Sequence, residues 1–184
     1  MTAGTAWAAG ALFLSVVPTY ASVVPKTRNL AILGAIAAVT LVSASMAQAV
    51  SLRIGLKPDA GQGIGPLLLV AGLGALVGAS PTRSGVLLVT GALLAGAGLG
   101  LSYVGAQEQV NEVAPPDRRG EVTAAFVTCV YVGLSVGAIG VGLLTDALSL
   151  FAALAIMSAT IGTVAVATTL WHLRPHDPGA LGRL

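Results

Sequence analysis

The sequence predicts an all-α fold, a polytopic membrane protein of six transmembrane helices, and three observations carry that reading. Hydrophobic residues make up 55% of the 184-residue chain and charged residues only 9%, against about 25% charged in soluble domains. Mean hydropathy is +0.91, and the 24 glycines suit helices packed closely in lipid. Six apolar runs divide the chain, each long enough to cross about 30 Å of hydrocarbon at about 1.5 Å per residue. Nine cationic and seven acidic side chains are too few for a soluble fold to cover that apolar surface. No segment alternates polar and apolar residues as a transmembrane barrel does, so the backbone polar groups must be satisfied within helices.

The runs follow in order. Thr5–Val24 ends at Pro25, and Pro18 inside it is expected to kink it or free a carbonyl. The first cation, Lys26, lies beyond this run, so the charged start of a secretory signal is missing and the run is read as a retained helix. Leu30–Leu52 is the second, and Gly61–Ala79 the third and tightest fit. Asp59 and Gln62, after Pro58, have the spacing of a capping box for it. Ser80-Pro81 can supply an N-cap and first-turn proline to the fourth run, Ser84–Gln107. Pro115-Pro116 stops that helix, and Asp117 is placed to start the fifth, Val122–Leu144. Asp146 can cap the sixth, Ala147–Trp171.

With a cytoplasmic amino terminus, the inner face receives Arg53, Lys57, Arg118, Arg119, Arg174 and Arg183, and the outer face Lys26, Arg28 and Arg83. That bias favours both termini in the cytoplasm, with Trp7 and Trp171 near the same interface. The net charge of +2 comes from scattered cations, which leaves no footprint for nucleic acid as a partner. Cys129 is the single cysteine, so no intrachain disulfide is possible. His172 and His176 fall at the end of the chain without a Cys or carboxylate cluster at metal spacing. No histidine lies in a span to serve as base for a serine. Enzymatic chemistry and a cofactor are therefore not expected.

Within the runs, small residues four apart stack on one helix face: Gly74 with Gly78, Gly96 with Gly100, and Gly133 with Gly137. Their plain use is close helix packing. Polar residues in hydrocarbon need partners or a wet cavity. The candidates for lining a substrate path are Tyr20, Gln48, Ser102, Tyr103 and Tyr131. Gln48 reads as the deepest amide, serving an interhelical hydrogen bond or a cavity. Tyr20 and Tyr103 lie near span ends, where a hydroxyl facing headgroups is a sufficient account. Gln107, Glu108 and Glu112 at the inner end of the fourth run, with Arg118 and Arg119 after the prolines, form a candidate cytoplasmic gate or loop network. The alternative for these charges is a solvated loop.

Gly100–Leu144 reads GLSYVGAQEQVNEVAPPDRRGEVTAAFVTCVYVGLSVGAIGVGLL. It resembles the tenth helix, cytoplasmic loop and eleventh helix of major facilitator superfamily transporters of the bacterial drug or sugar efflux type. The resemblance rests on the acidic helix end at Glu112, Pro115-Pro116, the Arg119-Gly120 pair and the glycines at 133, 137, 140 and 142. The second and third runs, with Gln48, Arg53 and Gly61–Gly78, resemble helices eight and nine. The loop signature of that family's amino-terminal half is absent between Arg53 and Gly65, which points to the carboxyl-terminal half. The Gly-Pro pair of proton-coupled exporters is replaced by Ser135-Val136-Gly137.

The resemblance implies half of a twelve-helix fold, built as two three-helix inverted repeats at residues 5–79 and 84–171 and followed by a short cytoplasmic tail, 172–184. It also implies residence in the cell membrane and alternating-access transport of a small-molecule solute. Six helices give one wall of the cavity, so the implied partner is a missing amino-terminal six-helix half or a second copy. A non-transporting membrane scaffold or accessory subunit is the alternative.

Overall fold

The structure, a computed structural model, describes residues 30–172. Among these residues it is all-helical, with α1 Leu30–Ile54, α2 Pro58–Thr82, α3 Gly85–Val113, α4 Arg119–Ala147 and α5 Leu150–His172. These are the second to sixth apolar runs. The first run, with Tyr20, and the tail beyond residue 172 lie outside the described residues. Among the described residues, four helices are long and apolar enough to cross a membrane, over Gly34–Ile54, Pro58–Ala79, Gly85–Val113 and Arg119–Ala147, and α5 carries a shorter apolar stretch, Phe151–Ala167. That is the build of a multi-pass membrane protein.

Local chemistry sets the helix ends, in several places differently from expectation. α1 closes at Gly55, whose φ of +64° lets the Leu56 N–H reach back to the Ser51 carbonyl at 2.9 Å. α2 closes the same way at Arg83, φ +49°, with the Ser84 N–H on the Ala79 carbonyl at 3.3 Å. Ser80-Pro81 therefore does not open α3, because Pro81 lies inside the last turn of α2. Ser84 is the N-cap instead, its hydroxyl accepting from the Leu87 N–H at 3.3 Å. Likewise Asp146 lies inside α4, and the Ser149 hydroxyl accepts from the Ala152 N–H at 3.3 Å to start α5. Each serine directly precedes its helix, the position from which a side-chain oxygen reaches the free N–H groups. Asp117 is no cap either, since α4 starts after Arg118 with no side-chain cap bond. Pro115-Pro116 follows the end of α3, where the Ala114 N–H bonds the Val110 carbonyl at 3.0 Å.

α3 is the hub. It packs most closely on α2, next on α1 and loosely on α4, while α5 lies against α2 and touches α4. The α2–α3 seam repeats every seven residues, the period of left-handed helix pairing. On α2, Gln62, Leu69 and Leu76 interleave with Gly65, Gly72 and Ala79; on α3, Leu88, Ala95 and Ser102 interleave with Gly91, Gly98 and Gly105, and all twelve are buried. A Cβ on Gly98 would lie 2.6 Å from the Gly65 carbonyl oxygen, and one on Gly72 2.7 Å from the Ala95 nitrogen. The α1–α3 seam repeats every four residues instead. There the backbone of Gly96 meets the Thr40 carbonyl and that of Gly100 the Ala44 carbonyl, and the Ser43 hydroxyl donates to the Leu93 carbonyl at 2.7 Å. Gly74 contributes to no seam, since a Cβ there would meet nothing within 4 Å. At Gly78 a Cβ would meet only Leu87, at 4.0 Å. On α4, Gly137 is buried and Gly133 half-buried.

Candidate functional site on the exposed side of α4

α4 is held lightly. Val130 packs with Ala106 of α3, the Phe126 and Tyr103 rings lie 5.5 Å apart at 50°, and Gly140 faces Met157 of α5. Most of the opposite side is open, with Tyr131 64% and Leu143 67% exposed. Along one flank of that open surface run Thr128, Tyr131, Ser135 and Thr145, with Ala138 and Gly142 between them. At about 100° per residue these positions fall within one sector of about 100°. Thr128 and Thr145 turn their hydroxyls back on their own helix, donating to the Ala124 and Gly142 carbonyls at 2.8 Å each. The Tyr131 and Ser135 hydroxyls make no hydrogen bond among the described residues. Tyr131 stands near the middle of the Arg119–Ala147 helix. A hydroxyl at that depth of a membrane span requires water or a partner.

The other polar candidates are distributed differently. Gln48 is half-buried on α1, its backbone carbonyl accepting from the Ser51 hydroxyl at 2.8 Å. The deepest amide is not Gln48 but Gln62, 2% exposed, which donates through Nε2 to the Gly105 carbonyl at 3.4 Å. Its partner in the expected capping box, Asp59, lies in the first turn of α2 and accepts from Gln109 Nε2 at 2.7 Å. Both side chains thus cross to α3 rather than close on each other. The signal that could have found Gln62 is its register with Leu69 and Leu76. Ser102 is 0% exposed, sealed against Gly65 in the α2–α3 seam. Tyr103 gives its ring to Phe126.

At the α3–α4 connection, Gln107 and Glu108 are half-buried, and Glu112, Arg118 and Arg119 are exposed. Glu121 Oε2 accepts from Arg118 Nε at 2.9 Å and from Nη2 at 2.6 Å. This is the ion pair formed among the described residues, so the carboxylate that meets Arg118 belongs to Glu121 and not to Glu108 or Glu112. Three residues of helix put Glu121 within reach, whereas the proline turn separates Arg118 from the α3 acids.

Comparison with known protein families, with curated proteins and with solved structures finds no match. The geometry therefore carries the reading. It offers neutral hydroxyls on one flank of a loosely held apolar helix, two of them bonded back to that helix and those of Tyr131 and Ser135 unbonded among the described residues. The described part of that flank presents no charge between Glu121 and Asp146.

Proposed function

We propose that the chain forms one wall of a transmembrane path for a small solute, with the Thr128–Tyr131–Ser135 flank of α4 facing the path. In this reading it is the carboxyl-terminal six-helix half of a major facilitator type permease in the cell membrane, working by alternating access against an amino-terminal half or a second copy. The six-helix count, the paired repeats and the cytoplasmic placement of both ends belong to the proposal. The observation that carries it is the exposed Tyr131 hydroxyl, unbonded among the described residues, near the middle of an apolar helix. Facing lipid, that group would lack compensation; facing a wet path, it is satisfied. The tight α1–α2–α3 unit beside a lightly held α4 also suits a wall that changes its packing during transport.

The chain's single cysteine supplies the test. Cys129 is exposed too, but two residues from Tyr131 it points about 160° away around the helix. In sealed vesicles a membrane-impermeant thiol reagent is expected to label Ser135→Cys in a Cys129→Ser background and to leave native Cys129 unlabelled. If both positions are equally inert in the complete assembly, the path reading falls. Label at Ser135→Cys without solute-dependent flux, when the chain is assembled with its second half, favours the scaffold alternative.

A further inference from the structure

The two parts of α2 on either side of Pro66 are held in different ways. Beyond Pro66 the helix is anchored by Leu69, Leu73 and Leu76, each 2% exposed or less. Before it, in Pro58–Gly65, the buried residues are Gly61, Gln62 and Gly65, with no large apolar side chain among them. The apolar burial that seats the rest of the helix is therefore missing from its first two turns. Side-chain hydrogen bonds reach across instead. Asp59 accepts from Gln109 Nε2 at 2.7 Å, and Gln62 Nε2 donates to the Gly105 carbonyl at 3.4 Å.

The same two turns are weak as helix. Pro66 lies inside α2 and has no N–H to give the Gln62 carbonyl, so one rung of the ladder is missing where the proline ring also crowds the preceding turn. Gly65 is required by packing, since a Cβ there would stand 2.8 Å from the Ser102 nitrogen. Gly63 is not, because a Cβ there would meet nothing within 4 Å. Packing gives no reason for glycine at 63, whereas backbone freedom next to a proline does. A buried group points the same way. The Ser102 hydroxyl lies against Gly65, 0% exposed, and makes no hydrogen bond. In the observed packing its desolvation is uncompensated, and movement of Gly65 away from α3 would let water reach it.

We propose that Pro58–Gly65 is a hinged flap, which swings away from α3 about the Gly63–Pro66 segment and admits water into the seam as far as Ser102. The Asp59–Gln109 hydrogen bond is its latch. In the closed state, the one observed, the latch is made and Ser102 lacks a partner. In the open state the latch is broken, and the Ser102 hydroxyl, the Gln62 amide and the Gly105 carbonyl are hydrated. Latch and buried hydroxyl thus pull in opposite directions, which keeps the two states close in free energy. Leu69, Leu73 and Leu76 stay seated throughout, so the motion ends at the proline. The device does not rest on the transport reading, since a scaffold built from the same helices would carry it too.

The test is amide hydrogen exchange of the full chain in phosphatidylcholine nanodiscs. Amides of residues 62–65 are expected to exchange about tenfold or more faster than those of 69–76. Gln109→Leu, which removes the latch donor, is expected to raise exchange over 62–65 about threefold or more and to leave 69–76 unchanged. Gly63→Ala, which clashes with nothing, is expected to slow it about fivefold, the difference in helix propensity. Ser102→Ala is expected to slow it about threefold or more, because the closed state loses its uncompensated hydroxyl. Simple fraying of a helix end would not respond to Ser102. Equal protection on both sides of Pro66 overturns the proposal, as does Gln109→Leu acting equally on 69–76. So does exchange over 62–65 that is unchanged or faster in Gly63→Ala or Ser102→Ala.

Discussion

At the scale of a residue, two glycines of α2 and α3 make opposite demands. Gly96 lies against the Thr40 carbonyl oxygen, a backbone atom that cannot rotate away, so even one added methyl group must push α1 from α3. Gly96→Ala is expected to lower stability by about 1–3 kcal/mol, the range for overpacking. Gly74, with nothing within 4 Å of its would-be Cβ, should accept alanine within about 0.5 kcal/mol. Reversible unfolding in detergent measures both, and equal effects would show that α1 does not dock on α3 through this seam. The ion pair at Arg118 and Glu121 is a different case. Both partners are about two-thirds exposed (64% and 68%), so removing either should change stability by at most about 1 kcal/mol.

At the scale of helices, the bundle divides into a fixed and a lightly held part. α3 meets α2 and α1 through backbone-to-backbone glycine contacts, whereas α4 rests on Ala106, Tyr103 and Met157. Local opening follows contact density. Amides of α4 between 122 and 145 are expected to exchange with deuterium about tenfold or more faster than those of α3 between 88 and 106. Equal protection would mean that α4 is as firmly packed as the hub. The existence of these helices was legible in the sequence, because long uncharged apolar runs permit little else in a membrane. Their ends were less so. Asp59, Asp117 and Asp146 are good cap types, but capping depends on standing directly before the helix, and Ser84 and Ser149 hold that position for α3 and α5. The seven-residue glycine seam escaped a search for spacings of four, and Gln62 passed for a cap because its distance from Asp59 satisfied a local motif. Tyr131 could be named from sequence as a mid-span hydroxyl. Its outward direction could not, because that depends on Phe126 and Val130 fixing which side of α4 meets α3.

At the scale of the whole molecule, the charges sort by end. The Asp59–Gln109 hydrogen bond ties the α1–α2 connection to the last turns of α3, so Arg53, Lys57, Arg118 and Arg119 share one end of the bundle. Arg83 stands at the other, and the Leu148-Ser149 link between α4 and α5 adds no cation there. Short loops rich in arginine and lysine tend to stay in the cytoplasm, and that bias predicts an inward-facing Asp59–Gln109 link and Arg118–Glu121 pair. In a Cys129→Ser background, Asp117→Cys is expected to react with an impermeant thiol reagent only after the cytoplasmic side is opened, and Ser149→Cys to react on intact cells. The reverse pattern would turn the bundle over. It would also remove the connection between α3 and α4 as a cytoplasmic gate, because Arg119 would then face the outer solution. If the expected pattern holds and the chain works as proposed, Arg119→Gln in the assembled halves should change flux while leaving membrane insertion intact. Unchanged flux would reduce that connection to a solvated loop.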